Sequence, residues 1–216
     1  ARDLGNIGPD YTFGFGKPDA YRAVNTLENN YYFEDNVSQN SIKSHSFSIP
    51  VNTNQLKITL SWTDKEGSPI ADKSIVNNLD LKLVTPAGDT ILPWKLNSNI
   101  PKNIALRGID NVNTNEQVTV ENPIAGTYTI VVKGTSVPFG PQQYAAAYYA
   151  QSKNIEITFP NGGEIEDANS SAKIRWFSNG IDSLAKIEFS SDNGNSWQTV
   201  VNNTQLRNEN YTWTLP

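Results

Sequence analysis

The feature that most constrains this chain is a period of two in its apolar residues from about residue 45 onwards. In "QLKITLSW" (55–62) every second residue is apolar, and "LDLKLV" (79–84) repeats the pattern. Such alternation is typical of a strand with one buried face. The segment "TPAGD" (85–89) has the proline and glycine of a type I turn. Seven or eight short strands over residues 40–150 predict an antiparallel β-sandwich or jelly roll.

A second β pattern follows a plausible linker, "QSKN" (151–154). Its strands are marked by "AKIRWF" (172–177), "LAKIEFS" (184–190) and "NYTWTLP" (210–216). About 60 residues with five or more strands predict a smaller, immunoglobulin-like sandwich. Trp176 resembles the buried tryptophan on a central strand of such sandwiches. We therefore expect a jelly-roll domain over residues 40–152 and an immunoglobulin-like domain over residues 153–216.

One short helix is predicted near the start of the chain. Pro18 suits the first helical position because its missing N–H is not needed there, and Asp19 complements the helix dipole. A helix this short is not stable alone, so we expect it to dock on another element. The fold class is therefore mostly β with a short N-terminal helix. An i, i+3, i+4, i+7 apolar stripe is formed by Ala20, Ala23, Val24 and Leu27.

Composition excludes several function classes. The 216 residues carry a net charge of -5 with no run of Lys or Arg, so a nucleic-acid partner is not expected. No apolar stretch approaches the roughly 18 residues of a membrane span. Cysteine is absent, which excludes disulfides, thiolate metal sites and a cysteine nucleophile. The chain starts at Ala1 and contains no Met, so we expect it to be a processed or excised piece of a longer protein.

Gly134-Thr135-Ser136 is similar to the nucleophile motif of subtilisin-like serine proteases. An acyl-transfer serine needs a base within hydrogen-bond reach, and the sole histidine of the chain is His45. In that family the nucleophile opens a helix, whereas two prolines and a glycine follow Ser136 here and prevent one. We therefore interpret Ser136 as part of a loop between strands and His45 as a surface residue at the start of a strand.

A resemblance to that family is stronger elsewhere. "GPDYTFGFGKPDAYRAV" (8–24) resembles the last turn and helix of the subtilisin-like catalytic domain. The blocks "SWTD", "NNLDL", "NP-x-x-GTYTI-x-V" and "GPQ" resemble the jelly roll that follows the catalytic domain in some bacterial members. That jelly roll is similar in kind to the P domain of proprotein convertases. The resemblance implies that residues 1–39 are the tail of a catalytic domain and a linker, and that the Asp-His-Ser triad lies before Ala1.

The last part of the chain resembles an immunoglobulin-like module of secreted bacterial hydrolases and surface proteins. "FPNGGE" and "SSDNGNSW" carry this likeness, and the second also matches a hairpin box known from sialidase propellers. We expect Asp192 to accept hydrogen bonds from turn amides, Gly194 to adopt a positive φ, and Trp197 to pack beneath the turn.

Calcium is the expected bound species. Hard cations prefer several carboxylate, amide and carbonyl oxygens, and jelly rolls related by the resemblance often carry calcium near these blocks. Two alternatives stay open, because Asp80 also fits a solvated outer face and Asn-rich loops form Asx-turns without a metal. The candidate ligands are Asp64, Asp80, Asp110, Asn113 and Glu116.

Together these patterns predict the C-terminal, non-catalytic accessory region of a secreted or cell-surface subtilisin-like serine endopeptidase. The expected partners are its own upstream protease domain and the protein or peptide substrates of the parent enzyme. The alternative is a carbohydrate- or surface-binding β-sandwich module of a secreted hydrolase. Trp94, Tyr148 and Tyr149 would then form exposed platforms, although aromatic residues that alternate along strands more often belong to a core.

Overall fold

The computed structural model describes residues 3–71, 73–181 and 183–216. The chain is mostly β with several antiparallel sheets and one short α-helix, as the sequence predicts. It divides into two compact units, Ala1–Ala150 and Gln151–Pro216. Within the described part of the chain, no helix has the length and apolar character needed to cross a membrane.

The helix α1 spans Ala20–Glu28 and a 3-10 turn spans Leu206–Asn208. The strands are β1 (Tyr32–Val37), β2 (Ile42–Ile49), β3 (Thr53–Ser61), β4 (Asn78–Val84), β5 (Thr90–Ile91), β6 (Trp94–Lys95), β7 (Leu106–Arg107), β8 (Asn115–Glu121), β9 (Gly126–Ser136), β10 (Gln142–Ser152), β11 (Asn154–Phe159), β12 (Ser171–Asn179), β13 (Leu184–Phe189), β14 (Gln198–Gln205) and β15 (Asn210–Thr214).

Two four-stranded sheets form the first unit. One has the strand order β1-β10-β3-β8 and the other β2-β9-β4-β5. The paired strands run antiparallel, and the chain alternates between the sheets in the order of an eight-stranded jelly roll. The predicted jelly roll is therefore confirmed.

The core lies between these sheets and is built by alternate residues of their central strands. Leu56, Ile58 and Leu60 of β3 and Leu79 and Leu83 of β4 are all completely buried. Burying one such side chain stabilises the fold by about 1.5–3 kcal/mol. The period of two in the sequence thus marks the core face of both strands.

Helix α1 differs from expectation in the face that it docks. Asp19 caps the helix by accepting a hydrogen bond from the backbone N–H of Arg22 at 3.0 Å. Arg22 is buried, and its guanidinium lies 5.0 Å from the ring centre of Tyr149 on β10. The apolar stripe instead faces solvent, with Val24 51% and Leu27 62% exposed. The helix therefore rests on the jelly roll through polar side chains.

The second unit has a three-stranded sheet, β11-β12-β15, and a two-stranded sheet, β13-β14. Trp176 of β12 is buried, as predicted, and its indole N–H donates to the carbonyl of Leu206 at 2.7 Å. Among the described apolar residues of this unit, Trp176 and Leu206 alone are fully buried. The small sandwich is centred on this one pair.

The turn before β14 forms largely as the sequence predicts. The Asp192 carboxylate accepts from the hydroxyl of Ser190 at 2.7 Å and from the backbone N–H and hydroxyl of Ser196 at 2.8 and 2.6 Å. Gly194 has a φ of 89°. Trp197 lies against the turn, with its Cζ2 3.7 Å from where a Cβ on Gly194 would stand, but its side chain is 60% exposed rather than buried beneath the turn.

Candidate functional site

A cluster of buried acidic side chains lies where β4 and β8 approach each other in the jelly roll. Asp80 of β4 is 7% exposed and Glu116 of β8 is 1% exposed. Asp110, in the loop that leads into β8, is 3% exposed. Carboxylates are rarely buried to this degree unless they are paired or bind a metal.

The hydrogen bonds of this cluster leave several oxygens without a donor. Glu116 Oε2 accepts from the backbone N–H of Leu81 at 2.7 Å, and Asp80 Oδ2 accepts from the hydroxyl of Thr135. Asn78 donates from Nδ2 to Asn111 Oδ1 at 3.0 Å. Their remaining oxygens are buried without a hydrogen-bond partner: Asn78 Oδ1, Asp80 Oδ1 and Glu116 Oε1. Such orphaned acceptors are costly in the absence of a positive ligand or a proton.

Burial and the neighbouring charges both favour the protonated form of Glu116. Burial raises the pKa of its carboxyl to about 9, and the negative charges of Asp80 and Asp110 act in the same direction. The hydrogen bond from Leu81 opposes the shift. These three predicted residues therefore lie close enough for their charges to interact.

The other two predicted ligands have structural contacts of their own. Asn113 clamps Asp110, donating from its side-chain amide at 2.6 Å and from its backbone N–H at 3.3 Å. Asp64 closes the loop between β3 and β4 by accepting from the backbone N–H groups of Val76 and Asn77 at 2.6 and 2.9 Å. Asp110 thus forms the Asx-turn that the sequence left open as an alternative, since it also accepts from the backbone N–H of Val112 two residues on. Asp64 instead makes a long-range contact between the two ends of its loop.

The described residues contain no group of three or more His, Cys, Asp or Glu side chains in a metal-binding arrangement. The orphaned oxygens are two carboxylates and one amide, a mixed set that a hard cation accepts in proteins. Asn78 was missed by sequence reasoning, although it lies two residues before Asp80 and hence on the same face of β4. The free oxygens of Asn78, Asp80 and Glu116 are therefore of the types that calcium binds. Among the candidate ligands, Asn78 replaces Asp64 and Asn113.

The "NNLDL" and "GPQ" blocks also have a structural role that the sequence did not reveal. Asn77 is almost fully buried, and its amide nitrogen donates to Gln142 Oε1 at 2.7 Å and to the Phe139 carbonyl at 3.0 Å. The backbone carbonyl of Asn77 accepts from the indole N–H of Trp62 at 2.9 Å. These bonds tie the β3–β4 loop to the β9–β10 loop next to the acidic cluster.

Ser136 and His45 do not meet. Ser136 ends β9 opposite Asn78, whereas His45 lies opposite Ile130. Six residues along a strand separate Ser136 from Ile130, which corresponds to roughly 20 Å. His45 Nε2 instead lies 2.8 Å from the Tyr144 hydroxyl. The two residues do not form a nucleophile and its base.

The three candidate sugar platforms are occupied by the protein itself. The indole N–H of Trp94 donates to Thr119 at 2.8 Å, and the Arg107 guanidinium lies 3.5 Å from the ring centre. Gly8, with a φ of 86°, lies so close to this indole that a Cβ would approach it to 2.9 Å.

The tyrosines are engaged in the same way. The Tyr148 ring lies 4.0 Å from that of Phe47, and Tyr149 lies under Arg22. With the faces of all three rings in contact with other side chains, they form packing contacts rather than a binding platform.

No family model matches this chain. Two proteins of Dictyostelium discoideum are similar to part of it. "Serine protease/ABC transporter B family protein tagA" is 30% identical over 110 residues, which is 50% of this chain and 6% of that protein. "Serine protease/ABC transporter B family protein tagB" is 26% identical over 135 residues, which is 57% of this chain and 7% of that protein. The chain thus corresponds to a small portion of much longer proteins whose names include a serine protease.

Proposed function

We propose that this chain is the C-terminal, non-catalytic accessory region of a secreted bacterial subtilisin-like serine endopeptidase. Partial similarity to proteins named as serine proteases supports an association with proteolysis. The jelly roll and the ordered blocks that resemble the domain after the subtilisin-like catalytic domain support the finer assignment. In this role the chain stabilises the protease domain and helps to position its protein or peptide substrates.

The observation that carries this proposal is an exposed apolar surface near the start of the chain. It comprises six large side chains, each between 37% and 62% exposed; we call it the N-terminal apolar surface, and its members are Tyr11, Phe13, Phe15, Tyr21, Val24 and Leu27. Exposed large apolar side chains that concentrate in one segment favour an interaction site. Because α1 turns its polar side to the jelly roll, its apolar stripe is available to a partner.

The upstream protease domain of the same polypeptide is the partner we propose for this surface. Residues 8–24 resemble the end of that domain, so the N-terminal apolar surface would be the part that completes its fold. Burial of even two of these side chains contributes several kcal/mol to the association, at about 1.5–3 kcal/mol each when fully covered. The jelly roll would then be held rigidly against the protease.

We further propose that calcium binds between Asn78, Asp80 and Glu116, with Asp110 adding negative charge nearby. The support is the set of buried oxygens without donors. A divalent cation would offset the repulsion among the carboxylates and satisfy these oxygens together. Its contribution would be to fix the loop before β8 onto β4, which stabilises the accessory region and through it the protease.

The test is to sequence the gene upstream of the Ala1 codon, express the encoded protein and measure its heat inactivation. We expect a serine peptidase domain. Tyr21→Ser with Leu27→Ser should shorten the half-life of peptidase activity by at least tenfold, since a loss of about 1.4 of these several kcal/mol is sufficient for that factor. Ile124→Ser is the control, because Ile124 is 73% exposed outside the N-terminal apolar surface. Absence of a peptidase domain, or equal half-lives for all variants, would contradict the proposal.

A further inference from the structure

A trough runs along the outer face of strand β10, because β10 has small residues there. The residues of β10 that face outwards include Ala145 and Ala147, which lie opposite Glu34 and Tyr32 of β1. Ala146 between them is fully buried in the core. Larger side chains on β1 and β3 form the two walls, and the alanines form the floor. We call this feature the β10 trough.

One end of the β10 trough is already filled by a protein segment. Helix α1 lies over Ala147 and Tyr149, where Arg22, Ala23 and Thr26 enclose a cavity of about 140 Å³ with the sheet. The helix makes this contact through polar side chains, as its exposed apolar stripe shows. The trough is therefore a surface on which a polar segment can dock.

The other end is open. Next to Ala145 the trough widens into a groove of about 870 Å³, which falls within the range of ligand-binding pockets. Its outward-facing lining consists of polar side chains around the alanine floor, and it includes Glu34, Asn36, Ser61, Thr63 and Gln143. None of these five side chains bonds to another described residue.

The charge of this groove is one-sided. Its described lining contains the carboxylates of Glu34 and Asp35 and neither lysine nor arginine. Asp35 is held by the Lys43 ammonium at 3.2 Å, so Glu34 is the carboxylate left for a ligand. The amides of Asn36 and Gln143, which lie opposite each other on β1 and β10, offer both donors and acceptors to a peptide backbone.

We propose that the open end of the β10 trough binds a basic polypeptide segment. A lysine or arginine of that segment pairs with Glu34, and its backbone bonds to the paired amides of Asn36 and Gln143. The groove continues the surface on which α1 docks. The bound segment therefore lies over Ala145, end to end with that helix. This inference stands on the groove alone and does not depend on the protease assignment.

The experiment is titration calorimetry of the whole chain with the blocked peptide acetyl-Ala-Arg-Ala-Lys-Ala-amide. A peptide with glutamate in place of both basic residues is the comparison. We expect the basic peptide to bind and the acidic one to show no heat. Glu34→Gln should weaken binding by about two- to fivefold at low salt, as the loss of one exposed ion pair predicts. Ala145→Leu should abolish it, because the added side chain fills the floor of the groove.

Matched controls separate the groove from general charge effects. Glu156→Gln removes an exposed carboxylate from the second unit, and Ala87→Leu enlarges an exposed alanine in the β4–β5 turn. Both should bind like the unmodified chain. Absence of binding by the basic peptide, binding of both peptides alike, or unchanged affinity in Glu34→Gln each overturns the proposal. Glu34→Gln changes one exposed surface group, so it still decides the matter if Ala145→Leu fails to fold.

Discussion

The two units of this chain are both β-sandwiches, but they differ in how completely their cores are closed. In the described part of the jelly roll, seventeen buried apolar residues form one continuous core. Among the described residues of the second unit, Trp176 and Leu206 are the buried apolar pair. Ile155 and Ile157 of β11, on the Trp176 face of the same sheet, are 48% and 60% exposed.

The difference shows that a closed apolar core can accommodate buried carboxylates. The jelly roll has enough apolar burial to tolerate Asp80, Asp110 and Glu116 below 10% exposure. Among the described residues of the second unit, none of the charged side chains is buried, and its core depends on one tryptophan. A unit of its size has a total stability of about 3–10 kcal/mol, so a single contact is a large share of it.

The sharpest test of this difference is Trp176→Ala. The change removes the main buried side chain of the second unit and should cost about 3–5 kcal/mol. We expect calorimetry to show loss of the second unit's transition while that of the jelly roll stays in place. Trp197→Ala is the control, since this side chain is 60% exposed. Retention of both transitions in Trp176→Ala would show that the second core is less dependent on this residue than its burial indicates.

Calcium should act on the jelly roll and not on the second unit. At a hundredfold excess over its dissociation constant, calcium should stabilise the jelly roll by about 2.7 kcal/mol. For a unit of this size the melting temperature should rise by roughly 3–6 °C relative to EDTA. Magnesium should have little effect, because it demands octahedral geometry and retains its waters.

Two variants make the calcium test specific. Glu116→Gln should reduce the response to calcium, because the amide cannot ionise when the cation binds. The melting temperature in EDTA should change little, since burial raises the pKa of Glu116 to about 9 and the carboxyl is already neutral at pH 7. Asp110→Asn should weaken the response less, because the carboxylate of Asp110 is already occupied by the amides of its own loop. Equal melting temperatures in EDTA and calcium would exclude the site.

A smaller effect is expected from acidification. Desolvation lowers the pKa of His45 below its usual 6.5; the nearby Asp35 carboxylate opposes this and the Lys43 ammonium adds to it. The folded state therefore binds fewer protons than the unfolded state just below pH 6.5. The stabilisation is complete above that pH and is lost as the pH falls through the folded pKa.

Thermal melting at pH 7 and pH 5 measures this effect. On acidification the jelly-roll transition of the unmodified chain should fall relative to that of His45→Gln, which keeps an acceptor for the Tyr144 hydroxyl. The comparison is made between the two proteins because the raised pKa of Glu116 stabilises the folded state on acidification in both of them. The second unit has no histidine and serves as the internal reference. An identical change of the melting temperature in both proteins would assign the pH dependence to groups other than His45.

The smallest effect is expected at Ser136. This residue ends β9 at the edge of the jelly roll, far from His45. Ser136→Ala should leave the melting temperature within about 1 °C, as expected for a surface substitution. The unmodified chain should neither hydrolyse casein nor react with a fluorophosphonate. Labelling of Ser136 would refute the non-catalytic assignment.

Much of the fold was predictable because strand structure is local. Side chains alternate between faces at every residue, so "QLKITLSW" and "LDLKLV" reveal their core positions without knowledge of a partner strand. The same holds for the Asp192 turn, whose donors lie within four residues. Local geometry was sufficient in each case.

The candidate site required the tertiary structure. The hydrogen bond from Leu81 to Glu116 joins residues 35 positions apart, and that from Thr135 to Asp80 joins residues 55 apart. Sequence periodicity gives the face of a strand but not the strand or loop that covers it. For the same reason the sequence identified the apolar stripe of α1 but not that its polar side docks, and it missed Asn78.

By itself, then, the sequence determined the period of two, the turns and hence the mostly β fold with its core leucines. Only the tertiary structure decided which oxygens are buried away from water without gaining a hydrogen-bond donor. It also decided which end of the β10 trough remains open. Alternation is set by the geometry of one strand, whereas burial depends on the order in which strands from distant parts of the chain assemble.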